Sequence, residues 1–347
     1  MEPGIDPSKV SFFMPDHNGP CRFGQYNKFQ SILFRRLGFK DVRIISPSND
    51  TSYEALSGGQ GVKFRYLAWK GIVSIDILRK LKQERKPYET HPGMTDRVYE
   101  EGLSMIVNSI EKGGKDSIEI LKQTARRIHE IPLKDGLRKP VIAIVGEIFM
   151  RDNPFCNGFI LDRLEKNGAE TWIAPFGEWL SYTTYRYQRD SKWKNDYKGI
   201  IKSNIQYYVQ KSVSLKIQKA LLGKYDEKRD IELHEMLDSC GPYIHRHYDG
   251  DPALNLGTSV ALTKTGISGI VNILPFTCMP GTVVESVSSE FKKDHDNIPY
   301  ISIAYDGQDS TTIDMRIQAF MHQAREFAGM MGYDKDTKKF HQSVIST

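Results

Sequence analysis

The chain has 347 residues, too many for one ordinary core and suited to two domains of roughly 150 residues each. Hydrophobic residues make up 39% and charged residues 26%, which excludes wholesale disorder, and the net charge of +5 is too dispersed for a nucleic-acid surface. No apolar run approaches the roughly 18 residues of a membrane span, and the N-terminus lacks the basic and apolar stretches of a secretory signal, so a cytoplasmic protein binding neither nucleic acid nor membrane is expected.

Val10-Ser11-Phe12-Phe13-Met14 is a short apolar run, stopped by Pro15. Apolar residues at helical spacing follow from Phe23 to Leu37, with Gly38 placed to end the helix. Val42-Arg43-Ile44-Ile45 reads as the next strand. Beyond the Gly-rich loop Ser57-Gly58-Gly59-Gln60-Gly61, residues 64–86 and 95–131 read as helical. Within them the run Lys80-Leu81-Lys82-Gln83-Glu84-Arg85-Lys86 mixes both charges and reads as a solvated helix face, while Met105, Ile106 and Ile110 read as core packing. Residues 1–136 are expected to form an N-terminal α/β lobe with a helical extension.

The polar stretch Lys134-Asp135-Gly136-Leu137-Arg138-Lys139-Pro140 marks a boundary. After it, Val141-Ile142-Ala143-Ile144-Val145-Gly146 is the continuous β-branched run of a parallel strand buried on both faces, expected to extend to residue 149. A helix over 156–167 stops at Asn167-Gly168, and Glu170-Thr171-Trp172-Ile173 supplies a further strand. Residues 178–240, rich in Tyr and Lys, read as a helical insertion. Strand Gly269–Leu274 leads to helix 281–292, and strand Tyr300–Ala304 to helix 311–328. Strands alternating with helices indicate parallel crossovers. The expected fold class is α/β: two Rossmann-like lobes with parallel sheets plus helical additions. The second lobe spans 137–333, and a polar tail follows over 334–347.

Open parallel sheets bind ligands beyond the carboxyl ends of their strands. Three of the four cysteines, Cys21, Cys156 and Cys278, sit at such strand-to-helix junctions, where free N–H groups favour thiolates. Cys240 instead follows a helix and reads as a small buried hydrophobe. No CxxC is present, which argues against a zinc ribbon. No GxxxxGK[ST] phosphate loop is present either, and the Gly58–Gly61 loop lacks the strand–turn–helix setting of a dinucleotide site, so ATP binding is not expected. His245-Arg246-His247 offers two imidazoles on one side of a strand as metal ligands, or an exposed polar segment. Glu147 offers an acid or base at a strand end, or a helix cap or ion pair. Asp306 with Gln308 offers a polar contact at the sheet edge, or a turn.

The segments Gly19-Pro20-Cys21-Arg22-Phe23-Gly24-Gln25-Tyr26 and Pro275-Phe276-Thr277-Cys278-Met279-Pro280-Gly281-Thr282 carry a resemblance. They are similar to signature segments in proteins related to component D of 2-hydroxyglutaryl-CoA dehydratase. The chain also resembles the C-terminal half of large activase-related proteins. Gly146-Glu147-Ile148-Phe149, Asn153-Pro154-Phe155, Tyr305-Asp306-Gly307-Gln308 and Arg316-Ile317-Gln318-Ala319-Phe320 support the match, which runs over most of residues 10–328. The resemblance implies a [4Fe–4S] cluster held between lobes, with Cys21 and Cys278 as ligands. Cys156 is a further candidate from its position after a strand. The resemblance also implies an electron supplied by an ATP-dependent activase carrying its own cluster, a second dehydratase subunit, and an acyl-CoA substrate undergoing reductive dehydration. The reading from another class is a cluster-free scaffold or ligand-binding domain, with the chain a fragment of a larger activase-related protein.

Overall fold

Two short apolar segments near the N-terminus, Ser11–Phe13 (β1) and Arg43–Ile45 (β2), pair in parallel around the connecting helix Tyr26–Arg36 (α1). The computed structural model describes residues 6–16, 21–46, 61–134, 136, 138–307 and 311–333. Gln308, the tail after residue 333 and the loop residues Ser57 to Gln60 lie outside them. The fold is mixed α/β with parallel sheets. Its main sheet has four parallel strands: Val141–Gly146 (β3), Glu170–Ile173 (β4), Gly269–Pro275 (β5) and Tyr300–Tyr305 (β6), in the order β4-β3-β5-β6.

The β-branched run of β3 is buried on both faces because the sheet is covered on both sides. Val141, Ala143 and Val145 point to one face, and Ile142 and Ile144 to the other, as the two-residue repeat of a strand requires. On the first face lie helices Leu233–Ser239 (α9), Pro252–Thr263 (α10) and Met279–Asp294 (α11). The second face is covered by Ile160–Lys166 (α6) and Thr311–Met331 (α12), whose Leu164, Ile317 and Met321 are fully buried.

Sequence patterning does not reveal α10. It is buried from Pro252 to Leu262 and carries Asn255, Gly257, Thr258 and Ser259 among its apolar residues, so it has no polar face to mark a helical period. Gly257 is required there. A Cβ at that position would meet the Met236 carbonyl oxygen at 2.0 Å, so the α9 and α10 backbones touch.

A third core belongs to helices Gly61–Arg85 (α2), Met94–Glu111 (α3), Ser117–His129 (α4) and Tyr197–Ala220 (α8). Ile106 lies at its centre, but Met105 is 41% exposed, which corrects its expected core role: one step of 100° carries it off the buried face. The expected insertion 178–240 consists of Phe176–Trp193 (α7), α8 and α9, and α8 packs on α2 and α4. Helix α2 also packs against β4 and α7. Asp76 of α2 accepts hydrogen bonds from the backbone N–H groups of Phe176 (3.1 Å) and Gly177 (2.9 Å), capping α7 from another element.

This central position of α2 overturns the reading of Lys80–Lys86 as a solvated face. Lys80, Gln83, Glu84 and Arg85 are buried. Lys80 pairs with Asp230, Gln83 accepts from the Ile173 N–H, and Glu84 accepts from the Asp226 N–H at 2.9 Å. Burial of Lys80, Glu84 and the Gln83 side-chain oxygen is tolerated because distant partners satisfy them. Below them, fully buried Arg229 faces Glu170 (3.4 Å) and Asp226 (3.5 Å). Among the described residues, no helix is long and apolar enough to cross a membrane.

Candidate functional site

The carboxyl ends of β3 and β5 lie side by side, with Gly146 paired to Ile273. Gly146 adopts φ +121°, and a Cβ there would meet the Ile273 carbonyl oxygen at 2.0 Å. The strand therefore ends at Gly146 rather than continuing to 149. Glu147 then accepts from the Met150 N–H at 2.8 Å and caps the short helix Ile148–Asp152 (α5). Of its alternatives, the cap is the one the structure displays. Asn153-Pro154 ends α5, and left-handed Gly158 and Phe159 delay the next helix until Ile160, so the single expected helix 156–167 is replaced by a turn followed by α6.

After β5 the chain makes a strained turn. Thr277 has φ +61°, a conformation that a β-branched residue adopts only under constraint. The turn is held by hydrogen bonds from the Phe276 N–H to the Tyr305 carbonyl (2.8 Å) and from the Cys278 N–H to the Pro275 carbonyl (3.0 Å). It places Cys278 as the N-cap of α11. Cys21 caps the 3-10 turn Arg22–Gln25 that leads into α1, and its sulfur accepts from the Phe23 N–H at 3.5 Å. Arg22 donates to the Thr277 hydroxyl at 3.5 Å, so the two cysteine segments meet.

Four residues at helix N-cap positions interact electrostatically here: Cys21, Glu147, Asp251 and Cys278. Asp251 is the N-cap of α10 and accepts from the Trp179 indole N–H at 3.2 Å. Both thiols feel the charges of Glu147 and Asp251, and Cys278 also feels Cys21. Burial pushes the Cys21 thiol up, opposed by the Phe23 N–H and reinforced by the two acids. Burial likewise pushes Cys278 up to about 11, against the pull of the Gly281 N–H. Glu147 is raised by burial, with its backbone donors opposing and Asp251 adding to the rise. Desolvation wins over the helix N-termini at each of these groups, so at neutral pH both thiols are protonated.

Cys156 occupies the turn between α5 and α6, where its N–H donates to Asn153 Oδ1 at 3.1 Å and its side chain packs against the α6–α12 core. Cys240 is completely buried, its sulfur facing the Leu237 and Ile244 carbonyls at 3.1 and 3.3 Å. His245 and His247 lie in a loop, not a strand, with ring centroids 5.0 Å apart; the His247 N–H donates to His245 Nδ1. Asp306 follows β6.

A protein-held four-iron cluster takes three or four thiolates. Among the described residues, no three His, Cys, Asp or Glu side chains gather closely enough to hold one metal ion. The thiols of a single chain therefore do not fit the whole cluster. Sequence reasoning missed Asp251 and Asn255, whose Oδ1 accepts from the Gly146 N–H at 3.3 Å. The signal was the Asp251-Pro252 pair, a capping residue followed by proline at the first helical position. Comparison of the chain with protein-family models, with curated proteins and with solved structures gave no match.

Proposed function

We propose that the chain is a cytoplasmic iron–sulfur redox protein similar to the cluster-carrying component of 2-hydroxyacyl-CoA dehydratases, its two sheets belonging to two Rossmann-like lobes. In this reading an ATP-dependent activase delivers the electron, and the reaction is a reductive dehydration of an acyl-CoA or a related low-potential reduction. The observation that carries the proposal is the meeting of the Cys21 and Cys278 segments, one beside each parallel sheet, through Arg22 and Thr277. Thiolates are the ligands such clusters require, and the N-termini of α10 and α11 favour negative charge beside them. The test is an iron and acid-labile sulfide assay on protein purified without oxygen. Stoichiometric iron and sulfide lost in Cys21→Ser and Cys278→Ser is the expected result, and a correctly folded chain that takes up neither would refute it.

The second reading, a cluster-free domain that binds a partner, is favoured by the protonated thiols and by the exposed Phe149 and Phe276 beside them. The same assay decides between the two.

A further inference from the structure

We propose that the outer face of α8 docks a helix of an acidic partner protein, whether or not the chain holds a cluster. The Tyr- and Lys-rich stretch that forms α8 is apolar on two opposite sides. Val213 and Ile217 turn inward and are buried in the core shared with α2, α3 and α4. On the solvent side stand Tyr197, Ile201, Ile205, Tyr208 and Leu215, each between 41% and 76% exposed. At 3.6 residues per turn these five side chains fall within about a quarter of the helix circumference, along about 27 Å of its length. A helix that is apolar all round is ordinarily covered all round, and a long exposed apolar stripe marks a contact surface.

Charge identifies what fits there. Helix α8 carries five lysines, Lys198, Lys202, Lys211, Lys216 and Lys219, and no acidic residue. By the same helical spacing, Lys198 and Lys216 border the stripe on one side. Lys211, which also faces Glu232 at 3.5 Å, borders it on the other. Lys219 falls within the stripe itself, five turns on from Ile201, with Ser212 beside that line.

These positions separate three occupants. Two copies of the face would set lysine against lysine, which opposes self-association through it. A hydrocarbon surface would cover the apolar side chains but offer no partner to the Lys219 ammonium or the Ser212 hydroxyl within the stripe. A partner helix with Asp or Glu beside its apolar residues answers both the stripe and its border. Ile201, Tyr208 and Leu215 also recur every seven residues, the interval at which one helix meets another along a seam.

The experiment uses the full chain and a fluorescent synthetic peptide of about three heptads, with leucine along its seam and glutamate beside it. Anisotropy should show saturable binding that weakens as salt rises. Ile201→Ser combined with Tyr208→Ser, on exposed side chains, should weaken binding about tenfold or more and leave the melting temperature unchanged. Lys198→Glu with Lys216→Glu should do the same, and should gain binding to a peptide whose glutamates are replaced by lysine. Folded parent protein that ignores the glutamate peptide would overturn the proposal. So would equal binding of a peptide whose leucines are replaced by serine, since charge alone would then explain it. Binding to phosphatidylserine vesicles without binding to the peptide would give the face to a membrane instead. A particle with the mass of two 39.7 kDa chains, dissociated by the Ile201 and Tyr208 substitutions, would give it to a second copy.

Discussion

Arg22 donates to Thr277 across 255 positions of sequence, tying the β1–α1–β2 unit to the junction between β5 and α11. The acceptor is itself the strained residue, at φ +61°. Such conformations cost on the order of 1–3 kcal/mol, and glycine adopts them freely. Thr277→Gly should therefore raise stability by about 1 kcal/mol after allowing for the greater freedom glycine has in the unfolded chain. Urea unfolding checks this. Amide exchange over Tyr26–Arg36 should rise at the same time, because the anchoring hydroxyl is gone.

Close backbone contact makes Gly146 and Gly257 intolerant of any side chain. Gly146→Ala drives a methyl group into the Ile273 carbonyl, and Gly257→Ala into that of Met236. Each should cost roughly 3 kcal/mol or more, by overpacking that no rotamer can relieve. Gly223→Ala, with nothing near its Cβ, controls for the loss of glycine itself, although its φ of +71° adds modest strain. Thermal melts of the three variants should separate cleanly.

Glu84 gives the protein a stability that falls as pH rises. Burial lifts its carboxyl from 4.5 to about 8, opposed by the Asp226 N–H and Arg229, with Glu170 and Asp226 adding to the rise. Between those values the folded chain holds a proton that the unfolded chain has released. Unfolding then releases it, so this contribution is largest below pH 4.5 and is lost as pH climbs through 8. Glu84→Gln keeps an acceptor for the Asp226 N–H and cannot ionise. Unfolding free energies from denaturant titrations at pH 5.5 and 8.5 should differ more in the parent than in the variant, by on the order of 1 kcal/mol or more. An equal pH dependence in the two proteins would remove Glu84 as the cause.

Arg229 is the counter-charge to Glu170 and Asp226 in that same buried region. Arg229→Ala leaves both carboxylates without it, and breaking a buried pair from one side costs about 3–5 kcal/mol. Loss of soluble protein, or a large fall in melting temperature at neutral pH, is the expected outcome. Partial rescue at acid pH, where the acids are neutralised, would identify charge rather than volume as the reason.

Without metal, Cys278 should alkylate slowly at pH 8. Its thiol is held up to about 11, so iodoacetamide labelling should climb about tenfold per pH unit from 8 to 10. Peptide mapping of labelled protein follows this residue alone. A rate that levels off by pH 9 would mean that burial does not control the thiol.

Much of this architecture is legible in the sequence, for a physical reason. A parallel strand covered on both faces is mostly apolar, and β3 and β5 announce themselves as apolar runs rich in β-branched residues, with Asn272 the polar residue within β5. Helix α10 is silent because burial on all sides erases the periodic contrast, and its polar residues serve internal contacts such as Asn255 to Gly146. The Lys80–Lys86 run misleads because charge says nothing about partners: the acid that pairs with Lys80 is 150 positions away. Cys21 and Cys278 are legible through their flanks. Asp251, which shares their site, has no such flanking motif, and its one signal is the Asp251-Pro252 pair at the start of α10.

The sealed fourth thiol gives the molecule an internal clock. Cys240 lies beneath α9 and α10 with its sulfur against two carbonyls, so no reagent in solution reaches it while these helices stay docked. In a chain whose Cys21, Cys156 and Cys278 have been blocked beforehand, the appearance of label at Cys240 times the opening of the central layer. At high reagent concentration the labelling rate becomes the opening rate itself, and at low concentration it reports how often the opened form is populated. The motions of the core can thus be followed separately from those of the exposed sheet edge, with one chemical reaction and no added probe.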